Sequence, residues 1–286
     1  VDLIADTPAS YVVHVRTAAT EIENKNNKKL TGVVFENYVN RNYIFSTVTS
    51  NTLLPFGILE DYLPKVILPV EIVDNTPRIL SSEELIDRGD DTISDWFEDI
   101  DSHDELRKSI YEMIDERGKL TQQSYLNYQY LVHCGAGGSK PCAAIQRGHI
   151  ESPHHFIADQ TTYVYGTDVE EEALYLIGIM NSNYVNEIIR PFQARGLFGE
   201  RHIHKLVYKV IPSFDNRNPL HHEVVRLARV LENRVSQLIN HIDQLHDFSL
   251  TIQRRRIQLR AALLVENENI VSLNQAVESV LNENAY

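Results

Sequence analysis

Residues 172–214 read EALYLIGIMNSNYVNEIIRPFQARGLFGERHIHKLVYKVIPSF, and the change of character partway along decides how the chain is parsed. Leu174, Ile177, Met180 (or Ile179), Tyr184 and Ile188 recur at helical spacing. Asp168 and Glu170–Glu172 suit a helix N-terminus, and Pro191 is a stop, so one helix is expected over 168–190. Beyond it, Arg190, Arg195, Arg201, His202, His204, Lys205 and Lys209 crowd a connection jointed by Gly196 and Gly199, which closes on an apolar strand and Pro212. Residues 187–217 carry six Lys and Arg against three acids, a net of +3 in a chain whose total is −13.

Working outward, the runs ASYVVHVRT, TGVVFENYV, NYIFSTVTS and KVILPVEIV in the first 75 residues are β-branched and aromatic, bounded by Asn, Gly and Pro, and read as strands. Residues 82–117 turn helical, with Ile93, Trp96, Phe97, Ile100, Leu106, Ile110 and Ile114 on an apolar face. YQYLVHCGAGGSKPCAAIQ (128–146) reads as strand, glycine turn, strand; HHFIADQTTYVYGT (154–167) reads as a strand pair or a bent strand. After residue 220, Val224, Ala228, Leu231, Val235, Leu238, Ile242 and Leu245 form a heptad seam. Such a seam suits a coiled-coil spacer or a homodimer, or else an intramolecular helical hairpin. The expected class is α/β (α+β): a mixed-sheet domain over 1–217, with an acidic helical insertion at 81–117, followed by a helical segment over 218–286.

At 286 residues, with 43% hydrophobic and 23% charged residues, the composition is that of a water-soluble globular protein. No apolar run approaches a membrane span, and no signal peptide is evident. Cys134 and Cys142 are too few for a disulfide framework, which points to a reducing cytoplasm. A start at Val1 rather than Met suggests a piece of a longer protein. The negative charge is concentrated: residues 81–116 hold 14 acids against Arg88, Arg107 and Lys108. Because salt screens charges beyond about 10 Å, the local field around residues 187–217 outweighs the global sum when a polyanion docks.

The remaining constellations are weak. GAGGSKP (135–141) resembles a phosphate loop but lacks the Gly-Lys-Ser/Thr ending and opens no helix, so a hairpin turn is the ordinary reading. The pairs His154–His155 and His221–His222, and His202 with His204, lack a third ligand at recognised spacing, so no metal is assigned. Neither a carboxylate triad, nor Gly-x-Ser-x-Gly, nor a cofactor-binding Gly-x-Gly turn occurs, and no catalytic residue is assigned. What stands out is the connection itself. Its glycines permit close backbone approach, arginine forks match phosphate oxygens and guanine edges, and Phe192 and Phe198 suit base stacking or packing beneath the loop.

The order of elements over FIADQTTYVYGTDVEEEALYLIGIMNSNYVNEIIRPFQARGLFGERHIHKLVYKVIPSFDNRNPLHHEVVRLARVLE is similar to the C-terminal target-recognition region of prokaryotic adenine-specific (N6) DNA methyltransferases of restriction–modification systems. The shared pattern is a helix ending in Ile179-Met180-Asn181-Ser182, a Gly-rich basic connection from Arg195 to Arg201, a strand closing on Ile211-Pro212, and a heptad helix. The likeness covers residues 119–235 well and the first 118 more loosely. It implies a cytoplasmic module that binds double-stranded DNA through Arg190, Arg195, Gly196, Phe198, Gly199, Arg201, His202, His204, Lys205 and Lys209. The Asn/Asp-Pro-Pro-Tyr/Phe motif of these enzymes is absent, so activity and S-adenosylmethionine are expected in a catalytic domain elsewhere in the same or another chain. The competing readings are a metal-dependent nuclease using the histidine clusters and a non-catalytic protein-interaction module.

Overall fold

The computed structural model describes residues 1–5, 11–18, 34–74, 76–102, 109–124, 128–135, 140–148, 155–159, 161–189, 194–196, 199–201, 211–265 and 268–283. Two compact units emerge: Val1–Thr47, Pro64–Asn127 and His149–Ile157 form the first, and Val48–Leu63, Tyr128–Gly148 and Ala158–Tyr286 the second. The chain therefore enters the second unit three times. Each unit mixes helices with small, mainly antiparallel sheets, an α+β arrangement.

The first unit opens with β1 (Asp2–Ala5), β2 (Val12–Arg16) and β3 (Glu36–Asn40), antiparallel in that order. Strand alternation turns Val13, Val15 and Val39 inward and leaves Val12 and Tyr38 exposed. After β4 (Ile44–Ser46), the chain visits the second unit for the β5 (Leu53–Leu54) and β6 (Gly57–Ile58) hairpin. It returns as β7 (Lys65–Ile67), then the hairpin β8 (Val70–Val73) and β9 (Thr76–Ile79). The acidic stretch forms α1 (Ser82–Asp87), α2 (Asp91–Asp101) and α3 (Ile110–Ile114). Ser81 and Glu84 make a reciprocal capping box that starts α1. On α2, Ile93, Trp96 and Phe97 pack with Val13, Val15 and Val39, and Ile100 lies partly buried beside them, as the apolar spacing requires. Leu106 lies outside the described residues.

The second unit contains β10 (Tyr130–Gly135) and β11 (Ala143–Arg147), an antiparallel hairpin with Val132 opposite Ile145. The expected strand pair of 154–167 separates: β12 (His155–Phe156) runs parallel to β4 in the first unit, while β13 (Thr162–Thr167) pairs with β10 in the second. Because β7 runs antiparallel to β4, that first-unit sheet is a mixed one.

Next come α4 (Glu170–Asn181), α5 (Asn183–Ile189) and the ribbon β14 (Ala194–Gly196) with β15 (Gly199–Arg201). Three helices follow: α6 (Pro219–Ile239), α7 (Ile252–Val265) and α8 (Glu268–Glu283). The helix expected over 168–190 is thus two helices, broken where Ser182 is extended (φ −70°, ψ 146°).

Helix α4 is the hub, with Ala173, Leu174, Tyr175, Ile177, Gly178, Ile179 and Met180 all buried against the sheet and α6. A helix apolar on every side belongs in a core, and each buried Leu or Ile there stabilises by about 1.5–3 kcal/mol. Gly178 sets its distance from α6: a Cβ would sit 2.8 Å from Val224 Cγ1 and 3.2 Å from Ala228 Cβ. Asn218 caps α6 by accepting the Leu220 N–H at 2.8 Å, with Pro219 at the first helical position. The seam residues Val224, Ala228, Leu231, Val235 and Leu238 are buried in the unit's own core, and α6 ends before Ile242. They pack within the chain rather than on a spacer, and the boundary expected at 217–218 falls inside the second unit. No helix among the described residues is long and apolar enough to cross a membrane.

Candidate nucleic-acid interface

The helices that precede the basic connection are held by a clamp. Asn181, the last residue of α4, donates Nδ2 to the Ala143 carbonyl at 2.7 Å and accepts the Ala143 N–H on Oδ1 at 3.1 Å. An amide side chain placed this way replaces one peptide of a neighbouring strand, which fixes the helix end to β11. Ser182 then accepts the Val185 N–H on Oγ (3.2 Å), and the Asn183 N–H donates to Asn274 Oδ1 on α8 at 2.8 Å. The Asn-Ser pair of the sequence pattern is therefore a buried positioning element.

The return end is held as firmly. Tyr175 donates its hydroxyl to the Pro212 carbonyl at 3.1 Å, and its ring packs on Phe214 and His221 with centroids 5.6 Å and 4.6 Å away. His221 accepts the Asp215 N–H on Nδ1 at 2.9 Å, which puts the ring proton of the neutral form on Nε2. Burial holds its pKa below the ordinary histidine value, against the opposing pull of Asp215 and Glu283. Its neighbour His222 contacts the Asn216 carbonyl through Nε2 at 2.7 Å. The His221–His222 pair thus organises the loop before α6, and no metal-holding group of His, Cys, Asp and Glu occurs among the described residues.

Between these anchors, Arg195, Gly196, Gly199 and Arg201 lie in the β14–β15 ribbon, whose register sets Arg195 opposite Glu200, Arg201 opposite Ala194 and Gly196 opposite Gly199. Arg190, Phe198, His202, His204, Lys205 and Lys209 lie outside the described residues, as does Phe192. The glycines are the last paired residues of the ribbon, Gly196 opposite Gly199.

Elsewhere in the second unit, many arginines are matched by carboxylates. Arg147 donates Nη1 and Nη2 to the two oxygens of Glu232 at 2.7 Å and 2.6 Å, and Arg229 donates to Glu170 at 2.9 Å. Arg217 pairs with Asp215, and Arg226 with Glu223. Burial pushes the Glu170 carboxyl up, but Arg229 and Arg147 together outweigh it and hold its pKa below the usual range.

The sheet holds one buried histidine that the sequence did not single out. His133 contacts Gln146 Oε1 through Nε2 at 2.9 Å, and burial pushes its pKa down to about 4. Cys134 and Cys142 are thiols. Cys134 is paired with Ala143, so Cys142 occupies the next register position, on the opposite face of the sheet.

Among the described residues, no strand-to-helix connection offers the glycine turn that would cradle S-adenosylmethionine. The strand-to-helix turns before α1 (Leu80-Ser81) and before α4 (Asp168-Val169) contain no glycine. A scan against protein-family models and a search of curated proteins each find no match to this chain.

Proposed function

We propose that this chain is the DNA-recognition part of an adenine-specific DNA methyltransferase of a restriction–modification system, and that residues 190–210 meet the duplex. The observation that carries this reading is the anchoring of both ends of the basic segment in one core. The Asn181 clamp on Ala143 fixes the exit, and the Tyr175–Pro212 and His221–Asp215 bonds fix the return. Recognition loops work when a rigid scaffold carries them. With Arg147, Arg217, Arg226 and Arg229 occupied by carboxylates, the Arg, Lys and His of 190–210 supply charge for phosphates.

In this reading, arginine and lysine position the duplex through its phosphates, and loop side chains read base edges. Adenine must leave the stack before its amino group can be methylated, at a cost of a few kcal/mol. A module that grips only the correct sequence restricts that step to the right base. The methyl donor and catalytic residues belong to a separate catalytic domain, and no chemical step is assigned to this chain.

The test is duplex binding measured across a salt series. Neutralised phosphates release counterions, so affinity falls steeply with salt. The double substitution Arg195→Ala/Arg201→Ala lowers affinity by roughly tenfold or more and flattens the log–log salt slope by about 2. An unchanged slope removes these residues from the interface.

A further inference from the structure

Two turns of the second unit bring a pair of aromatic rings together at its surface. The first is the single helical turn Glu60–Tyr62 after β6, pinned on either side by the buried Leu59 and Leu63. The second follows the single turn Asp243–Leu245 beyond α6, where Leu245 is buried and His246 contacts the Ile239 carbonyl through Nε2 at 2.7 Å. Asp247 accepts both the N–H and the hydroxyl of Ser249, at 2.9 Å and 2.6 Å, which sets the bend that carries Phe248. The rings of Tyr62 and Phe248 lie 4.9 Å apart at 32°, and that of His246 is 5.4 Å from Tyr62. The Arg255 guanidinium lies over Phe248 at 4.2 Å. Tyr62 is 43% exposed and Phe248 44%, so the pair is both assembled and open.

A pair of rings held this way offers π surface to a planar partner, either a nucleobase or a guanidinium. The charges around it decide between them. Residues 57–63 and 240–250 carry Glu60, Asp61, Asp243 and Asp247 and no Lys or Arg, and all four acids are exposed. The cation at the rings, Arg255, is buried, donates to the Leu245 carbonyl and feels the opposing field of Asp247. A nucleic-acid strand brings a phosphate with every base, a like-charge contact with these carboxylates. An arginine side chain gains from both features: its plane stacks on the rings while its N–H groups reach carboxylates.

We infer that Tyr62 and Phe248, with the carboxylates of Glu60, Asp61, Asp243 and Asp247 on the same two turns, form a docking surface for an arginine-bearing segment of a protein partner. The inference stands apart from the DNA reading, since a basic protein segment fits here whether or not residues 190–210 meet a duplex.

The experiment titrates the full chain by calorimetry with three probes: acetylated and amidated hexa-arginine, hexalysine capped alike, and single-stranded oligothymidylate. Wild type is expected to bind hexa-arginine more tightly than hexalysine, by roughly twofold or more, because the planar guanidinium stacks better than an ammonium. Tyr62→Ala and Phe248→Ala each weaken hexa-arginine roughly two- to fivefold and remove its advantage over hexalysine. Asp61→Asn/Asp247→Asn keeps the rings and weakens both peptides, with a shallower dependence on salt. Phe248→Ala also strips the ring from Arg255; should that variant not fold, Tyr62→Ala and the double asparagine variant, both on exposed residues, carry the test.

The acids of residues 81–116 also attract cationic peptides, so the variants, rather than wild-type affinity, locate the site. Hexa-arginine binding left unchanged by Tyr62→Ala and by Asp61→Asn/Asp247→Asn places the peptide elsewhere and overturns the inference. Equal affinity for the two peptides overturns it as well, as does no binding of hexa-arginine at all. Oligothymidylate bound more tightly than hexa-arginine, and released by Tyr62→Ala, gives the surface to nucleic acid instead and overturns it too.

Discussion

Helices α6 and α7 belong to the same unit and treat arginine in opposite ways. On α6, Arg226 and Arg229 answer to carboxylates, and Glu232 of the same helix receives Arg147. On α7, Arg255 and Arg256 answer to the carbonyls of Leu245, Leu53 and Ser50, and Arg255 also lies over the Phe248 ring at 4.2 Å. The first arrangement cancels charge at the surface. The second uses charge to hold backbone carbonyls, with no carboxylate in direct hydrogen-bonded contact among the described residues. A cation on a helix can thus be a neutralised ornament of the surface or a buried fastener of backbone carbonyls, and its partners tell the two apart.

The largest expected effect is that of Arg256→Met, which removes the guanidinium donor from the Leu53 and Ser50 carbonyls; urea unfolding shows a loss of about 2–4 kcal/mol. A loss near zero would break the fastener half of the comparison.

Acid supplies the next effect and has to be separated before the helices are compared. His133 is depressed to about 4 from 6.5, so the neutral ring's stabilisation is full above 6.5 and is lost as pH falls through 4. That window amounts to roughly 3 kcal/mol at its lower end, and an NMR titration places the ring's midpoint near 4. Below the usual carboxylate value of 4.5, Glu170 and Glu223 protonate and the α6 pairs dissolve, while the carbonyl partners of α7 do not titrate.

A smaller change comes from Glu232→Gln. Arg147 is 41% exposed, so solvent screening discounts the pair, and a loss of about 1–2 kcal/mol that shrinks in high salt is expected from denaturant midpoints. The Arg256→Met loss should not shrink with salt, and a salt-sensitive one would blur the distinction. Smallest of all, Arg226→Ala on the open face of α6 leaves thermal stability unchanged within measurement.

Much of the local structure was legible. The β-branched runs became β2, β3, β4, β7 and β8, the glycine-turn stretch became the β10–β11 hairpin, and the apolar face of residues 93–100 became the buried side of α2. Periodicity failed at Ser182, because Tyr184 and Ile188 keep helical spacing across a break that only the Asn181–Ala143 pairing explains. It failed again for β12, whose partner β4 lies far back in the chain, since short apolar runs carry no record of their distant neighbours.

At the candidate site, Asn181, Ser182 and Pro212 stood out as parts of a pattern, but their roles as clamp, short-helix cap and carbonyl acceptor needed coordinates. The α7 arginines were missed, although a signal was present. Arg256 and Arg260 are four residues apart in a helical stretch with no acid three or four positions away, so no local partner could be waiting for them.

The threading of the chain has an evolutionary consequence. Each unit draws on three separate stretches, so a single crossover within the gene cannot trade one unit for a foreign counterpart without orphaning strands such as β4 and β12. The stretch between Ile189 and Ile211 is different, since the residues on either side of it are fastened within one unit. An exchange of what lies between these two points therefore leaves both fastenings, Asn183 to Asn274 and Tyr175 to Pro212, at their addresses.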